Sequence, residues 1–187
     1  LKVPIKDSLY GKTMSSLTSN GRGGVLTSTL TKSYTNGWYG TAQGSLKRFG
    51  DFEAADYVLS NTGIIEQNAS LRFGLNKFNY GIEAYFSFFS NEIGILRASH
   101  LHGAADQVRA FDSDMPLIIN DFTYNIGAPR QNVKHQLARI KGFKTIENFG
   151  TLSLQYDLMI SSLIHVSSRF AQERIVPSKS PLILSPK

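Results

Sequence analysis

Two histidines stand two residues apart in the segment Ser99-His100-Leu101-His102-Gly103, with Asp106 close behind. Side chains at i and i+2 share a face of an extended segment, so His100 and His102 could hold one metal ion with help from the carboxylate. The preferred reading is plainer: solvated loop histidines. His135 falls among alternating polar residues, where it needs no special function, and His165 has no obvious partner. Glu53 with Asp56, and Asp112 with Asp114, are acidic pairs in polar connections. General acid–base catalysis needs a shaped, partly dry site that shifts pKa values, and exposed pairs read as solvation instead. Ser and Thr are abundant, yet no G-x-S-x-G elbow occurs. The run Ser19–Gly24, SNGRGG, is not followed by Lys-Ser or Lys-Thr, so it is no phosphate loop. Asn68-Ala69-Ser70 matches a glycosylation sequon but lies inside a strand pattern and reads as chance. With no cysteine, neither a disulfide framework nor a C-x-x-C metal site exists. These residues assign no catalytic, cofactor-binding or metal site, no ligand-contacting residue is picked out, and the chain is not expected to be an enzyme.

The elements around these residues are strands. The organising stretch is Glu66 to Asn91, two alternating runs about a short turn. Ala69, Leu71, Phe73 and Leu75 share one face, opposite Asn68, Ser70, Arg72, Gly74 and Asn76. Tyr80, Ile82, Ala84, Phe86 and Phe88 share a face on the second run, opposite Gly81, Glu83, Tyr85, Ser87 and Asn91. A period of two is the strand signature. A turn over Phe78 and Asn79 sets Leu75 opposite Ile82, Phe73 opposite Ala84 and Leu71 opposite Phe86. A slip of one residue would mix the faces. Arg72 then lies diagonally from Glu83, within reach of an ion pair.

In chain order, residues 1–8 are a lead-in, and Leu9–Thr18 and Val25–Tyr34 read as strands by weak alternation and propensity. Asn36-Gly37 signals a two-residue hairpin turn into Trp38–Phe49. That strand turns Trp38, Gly40, Ala42, Gly44 and Leu46 one way, and Tyr39, Thr41, Gln43, Ser45 and Lys47 the other. A two-residue turn, however, sends Leu26 and Leu30 to the polar side, which only a bulge would correct. Gly50–Ile65 is a longer polar connection. Ile93–Arg130 is longer still, with a possible short helix over His102–Phe111 and two prolines that oppose central strand pairing. Gln131–Lys144 and Gly150–Ile160 complete the strands. In the first, Ala138, Ile140 and Gly142 oppose His135, Arg139 and Lys141. In the second, Leu152, Leu154, Tyr156, Leu158 and Ile160 oppose Thr151, Ser153, Gln155 and Asp157. Residues 161–187 read as an atypical proline-rich tail.

Such two-faced strands fit either a soluble sandwich, apolar side inward, or a transmembrane barrel, apolar side to lipid and polar side to a wet lumen. Connection lengths favour the barrel: they run medium, short, long, short, very long, short, as outer loops and periplasmic turns do. Tyr80, Phe88 and Tyr156 are candidates for interfacial aromatic girdles, with ordinary packing as the alternative. The chain has 187 residues, room for one ordinary domain, and no apolar run long enough for a transmembrane helix. Its formal charge of +6 is scattered rather than gathered into an aromatic-lined basic groove, which argues against nucleic acid. The start, LKVPIKDS, is no signal segment, so either the protein is not exported or its true beginning is missing.

The segments SNGRGG, GSLKRFGDFEAADYVLSNTGIIEQNASLRFG, FNYGIEAYFSFFSNEIGILRASHLHG and NVKHQLARIKGF, taken in order, resemble TonB-dependent outer-membrane receptors of the Bacteroidetes type. The match runs from about Leu9 to Tyr156. The resemblance implies an all-β fold of antiparallel up-and-down strands, about seven strands from the first third of a barrel of about 22. It places residues 9–160 in the outer membrane of a Gram-negative bacterium, in contact with lipid. It implies uptake of a nutrient complex such as a siderophore or other metal chelate, with no cofactor. The TonB complex would be engaged only in the intact protein, through a plug and other parts not found here. After Tyr156 the family pattern gives way to LMISSLIHVSSRF, and the expectation is a truncated gene product with a frameshift near Asp157. The alternatives are a soluble β-sheet binding module and a small closed barrel of adhesive or structural role.

Overall fold

The structure is a computed structural model that describes residues 7–99, 103–167 and 171–179. Its strands are β1 (Ser8–Thr18), β2 (Gly23–Ser33), β3 (Trp38–Phe49), the two-residue β4 (Phe52–Glu53) and β5 (Val58–Leu59), β6 (Ile64–Asn76), β7 (Tyr80–Gly94), β8 (Arg130–Ile146), β9 (Gly150–Val166) and β10 (Ala171–Lys179). The helix α1 (Ala104–Phe111) lies in the connection between β7 and β8. The long strands form one antiparallel sheet in the order β1-β2-β3-β6-β7-β8-β9-β10, and β4 pairs with β5 apart from it. Each long strand is bonded to the next one along the chain, so the topology is up-and-down, with β1 and β10 as open edges. Among the described residues no helix is long and apolar enough to cross a membrane.

The hairpin of β6 and β7 has the register that its alternation specifies: Leu75 faces Ile82, Phe73 faces Ala84, and Leu71 faces Phe86. The Arg72–Glu83 diagonal closes to 3.8 Å. The turn between β2 and β3 corrects the two-residue expectation. Tyr34, not Thr35, meets Trp38, with Tyr34 N–H donating to Trp38 O at 2.9 Å. Thr35, Asn36 and Gly37 thus form a three-residue loop, whose third residue sits at φ 89°. This is the type I turn with a left-handed glycine that three-residue hairpins use. The extra residue supplies the missing bulge: Leu26 lies opposite Leu46 and Leu30 opposite Ala42, so both leucines join the apolar face. Gly37 is also a contact point, because its carbonyl accepts from Asn76 N–H at 2.9 Å.

The strand ladder also outruns the boundary expected at Ile160. β9 continues to Val166 against β8, and β10 pairs with it in a register that sets Pro177 opposite Ile160. Proline donates no ladder bond, and an edge strand is where a sheet tolerates that loss.

The register aligns side chains across the whole sheet. Trp38, Leu75, Ile82, Gly142 and Leu154 form one row; Gly40, Phe73, Ala84, Ile140 and Tyr156 the next; Ala42, Leu71, Phe86, Ala138 and Leu158 a third. This face is apolar and uncovered: Leu71 is 61% exposed and Phe86 46%. Among the described residues the buried side chains are Tyr39, Pro129 and the polar Thr31, Ser33, Asp51, Ser60 and Asn61. A dozen half-exposed Leu, Ile and Phe side chains leave on the order of 15 kcal/mol of apolar burial unrealised. That is comparable to the whole stability of a domain.

Tyr39 owes its burial to Gly74, which faces it directly across β3 and β6. The phenol crosses the bare glycine to donate to Glu83 Oε2 at 2.6 Å, linking three strands on the polar face. A Cβ on Gly74 would lie 2.8 Å from the ring and 2.8 Å from the Ile82 carbonyl. Gly74→Ala is therefore expected to cost about 1–3 kcal/mol through forced displacement. Gly44→Ala is expected to cost almost nothing, because its Cβ would meet only Asn68 O at 4.0 Å. Urea titration of the chain in detergent micelles reads both, and equal midpoints would show that the ring can step aside freely.

Candidate functional site

The polar face carries paired charges in register. Lys47, Glu66 and Asn91 lie in one row, where Glu66 accepts from Lys47 Nζ at 3.3 Å and from Asn91 Nδ2 at 3.1 Å. Asn68 Nδ2, two residues along β6, adds a third bond to the same carboxylate at 2.9 Å. Arg139 faces Asp157 directly, with Nε donating at 2.5 Å, and Gln155 supports the same carboxylate at 2.8 Å. Half-exposed ion pairs contribute little stability, about 0–1 kcal/mol each, but a mispaired register would set like charges together. Near the short turns this face holds an open pocket of about 280 Å³ lined by Tyr39, Arg72, Asn76, Glu83, Lys141 and Phe143. The face is thus a layer of hydrogen-bonding groups, in which each of these carboxylates already has a cation or amide.

All long connections leave from one end of the sheet, and there they bind one another. Gly50 N–H donates to Gly21 O at 2.8 Å, and Asp51 N–H to Thr123 O at 3.0 Å. Asn120 N–H donates to Ser60 Oγ at 2.6 Å. The centre of this cap is Asn61, 4% exposed. Its Nδ2 donates to Ile95 O at 2.8 Å and to Pro129 O at 2.7 Å, and its Oδ1 accepts from Gly127 N–H at 2.7 Å. Ile95 and Pro129 are the two stems of the longest connection, themselves bonded at 3.0 Å. One side chain from the β3–β6 connection thereby pins the neck of the β7–β8 connection. Asn61 adopts φ 67°, a left-handed backbone that asparagine tolerates better than most residues.

Aromatic rings and cations cover the same end. Arg22 lies 4.1 Å above the Phe122 ring and pairs with Glu53 at 2.7 Å. Phe122 meets Tyr124 edge-on at 5.1 Å, and the Tyr124 hydroxyl donates to Arg22 O at 2.7 Å. Arg48 sits 5.6 Å from the Tyr124 ring. The long connections thus form one joined cap rather than separate loops.

No protein-family model, curated protein or solved structure matches the chain. The site rests on geometry alone.

The residues with chemical potential in the sequence are scattered by the fold. His100 and His102 lie outside the described residues. Asp106 is on α1 and pairs with Arg109 at 3.8 Å. His135 is on the polar face of β8, where Nδ1 lies 2.6 Å from Ser161 Oγ and the ring lies tilted 5.7 Å from Phe89. His165 belongs to β9, opposite Gln131. Glu53 pairs with Arg22, and Asp112 caps the end of α1. Among the described residues no three His, Asp or Glu side chains gather to hold a metal. Asn68 of the sequon is engaged with Glu66 on the polar face. Tyr80 begins β7, Phe88 marks where its apolar face turns polar, and Tyr156 sits within the apolar face opposite Ile140. Sequence reasoning missed Asn61, Tyr39 and the Phe122–Tyr124 pair. For the last, two aromatics two residues apart in the connection were the available signal.

Proposed function

We propose that this chain forms part of the wall and outer mouth of an outer-membrane β-barrel that takes up a nutrient complex. The observation that carries the reading is the division of the sheet into two whole faces. One is apolar and uncovered from β2 to β9; the other is charged and hydrogen-bonded. A bilayer satisfies the first and an aqueous lumen the second. The apolar stretch of β9, from Leu152 to Ile160, has the roughly nine residues that a tilted strand needs to cross hydrocarbon. Segregation of the long connections at one end supports the same orientation, with the joined cap outside. The narrower identity, a TonB-dependent receptor for a siderophore or other metal chelate, is supported by the quoted segments alone. In that reading the cap meets the ligand, and energy coupling belongs to a plug and the TonB complex.

Trp38 is the chain's one tryptophan, so it reports directly on the face. It begins the apolar side of β3, is 38% exposed, and stacks on Phe73 at 5.0 Å. Strong quenching of its fluorescence is expected in vesicles whose acyl chains are brominated, together with a blue-shifted emission. Emission at the wavelength of hydrated indole, unchanged by bromine, would replace this reading with a water-facing sheet.

A further inference from the structure

On the apolar face near the long-loop end, a groove of about 540 Å³ runs over Leu17, Leu26, Leu46 and Ile65, with Arg48 and Gln67 at its edge. The register explains its form. Leu26 faces Leu46, Leu46 faces Gln67, and Arg48 faces Ile65, so the rows change from apolar to polar within one side-chain spacing. The neighbouring rows change at the same level: Ser90 lies opposite Gln67 on one side and Lys134 on the other. The cations of this collar differ in their commitments. Arg130 is held by Glu92 at 3.4 Å. Arg48 is exposed, and its contact is the Tyr124 ring at 5.6 Å. Among the described residues no carboxylate pairs with it.

We propose that this groove is a binding site for one anionic membrane lipid. An acyl chain lies along Leu26, Leu46 and Ile65, and the phosphate headgroup is held by the Arg48 guanidinium with Gln67 beside it. The inference rests on the membrane reading above and adds to it a specific lipid, a fixed position and a headgroup charge. Three features fit a lipid in particular. The groove is continuous with the apolar face. Its one uncommitted cation stands at the boundary where headgroups meet hydrocarbon, the usual place for an anchoring Arg. The guanidinium fork matches phosphate oxygens, and the Tyr124 ring lies 5.6 Å from it. A free phosphate would have the cation without the groove, and a neutral lipid the groove without the cation.

The test is local. In a Trp38→Phe background, Leu46→Trp places the single tryptophan in the groove of the full chain, reconstituted in vesicles. Quenching is compared between brominated phosphatidylcholine and brominated phosphatidylglycerol, each diluted in the same unbrominated phosphatidylcholine. The expected result is about fivefold preference for the anionic lipid at residue 46, the size of one basic contact at a membrane surface. Trp38 in the unaltered chain, at the opposite end of the face, should show no preference. Arg48→Gln should abolish the preference and Arg48→Lys should retain most of it. Quenching at both positions with no headgroup preference would overturn the lipid site and leave the membrane reading standing. A preference that survives Arg48→Gln would overturn it as well. Quenching at neither position would overturn the membrane reading, and the site with it.

Discussion

On the membrane reading proposed above, Leu71→Arg and Phe86→Arg are each expected to reduce the stability of the inserted chain by about 2–4 kcal/mol, whereas Ser70→Arg and Ser87→Arg should cost far less. The four positions form a controlled set. Leu71 faces Phe86 and Ser70 faces Ser87 across the same pair of strands, at almost the same depth. The first pair occupies the third apolar row, away from both polar ends, where a guanidinium has no route to water shorter than the length of its own side chain. The second pair projects to the side of Gln43, Arg72 and Arg139, which the same reading turns to water. At 2–4 kcal/mol the inserted fraction should fall by one to three orders of magnitude. Insertion yield in vesicles, read by flotation and protection from protease, measures it. Equal yields for all four variants, or lower yields for the serine sites, would mean that the faces are reversed or that these strands never meet lipid.

Asn61→Ala should detach the neck of the β7–β8 connection. Three hydrogen bonds are lost, each worth about 1 kcal/mol net, and the left-handed backbone adds about 1–2 kcal/mol once an alanine must adopt it. The expected total, about 4 kcal/mol, appears as local opening. Amide protection at Ile95 and Gly127 should fall by two orders of magnitude or more, while Ala84 in the middle of β7 keeps its own. Asn61→Gly separates the two causes, since it removes the same side chain but accepts φ 67° without strain. It should be milder than Asn61→Ala by about the strain term. Unchanged protection at Ile95 in both variants would assign the neck to its main-chain bonds, those of Ile95 with Pro129 and of Gly94 with Gly63.

The parts of this fold that the sequence reveals are those in which neighbouring residues carry the information. The β6–β7 hairpin is legible because Asn68, Ser70 and Arg72 interleave with Ala69, Leu71 and Phe73, so one register alone keeps the faces apart. The turn between β2 and β3 is half legible. Asn36-Gly37 announces a turn, but its length depends on which of the two residues takes positive φ, and only Gly37 does. The mismatch at Leu26 and Leu30 was the sign that a residue was uncounted. The strand content beyond Ile160 was obscured because alternation weakens where both faces are polar or mixed, and because prolines read as an ending. The joined cap was not legible at all. Asn61 resembles any polar residue of a loop, and its partners at positions 95, 127 and 129 lie far along the chain in segments with no periodicity.

Gly37 also divides the molecule by how it can change over generations. In the tight reversal at residues 35–37, adding or deleting one residue rotates β1 and β2 relative to everything after them and exchanges their two sides. The spacing at that end is a parity that inheritance must keep. The connections at 50–63 and 95–129 carry no such constraint, because each can gain or lose residues between fixed anchor points without turning a strand over. Diverging lineages of this chain would then be expected to differ in length and composition at that end alone, while the tight reversals stay the same size.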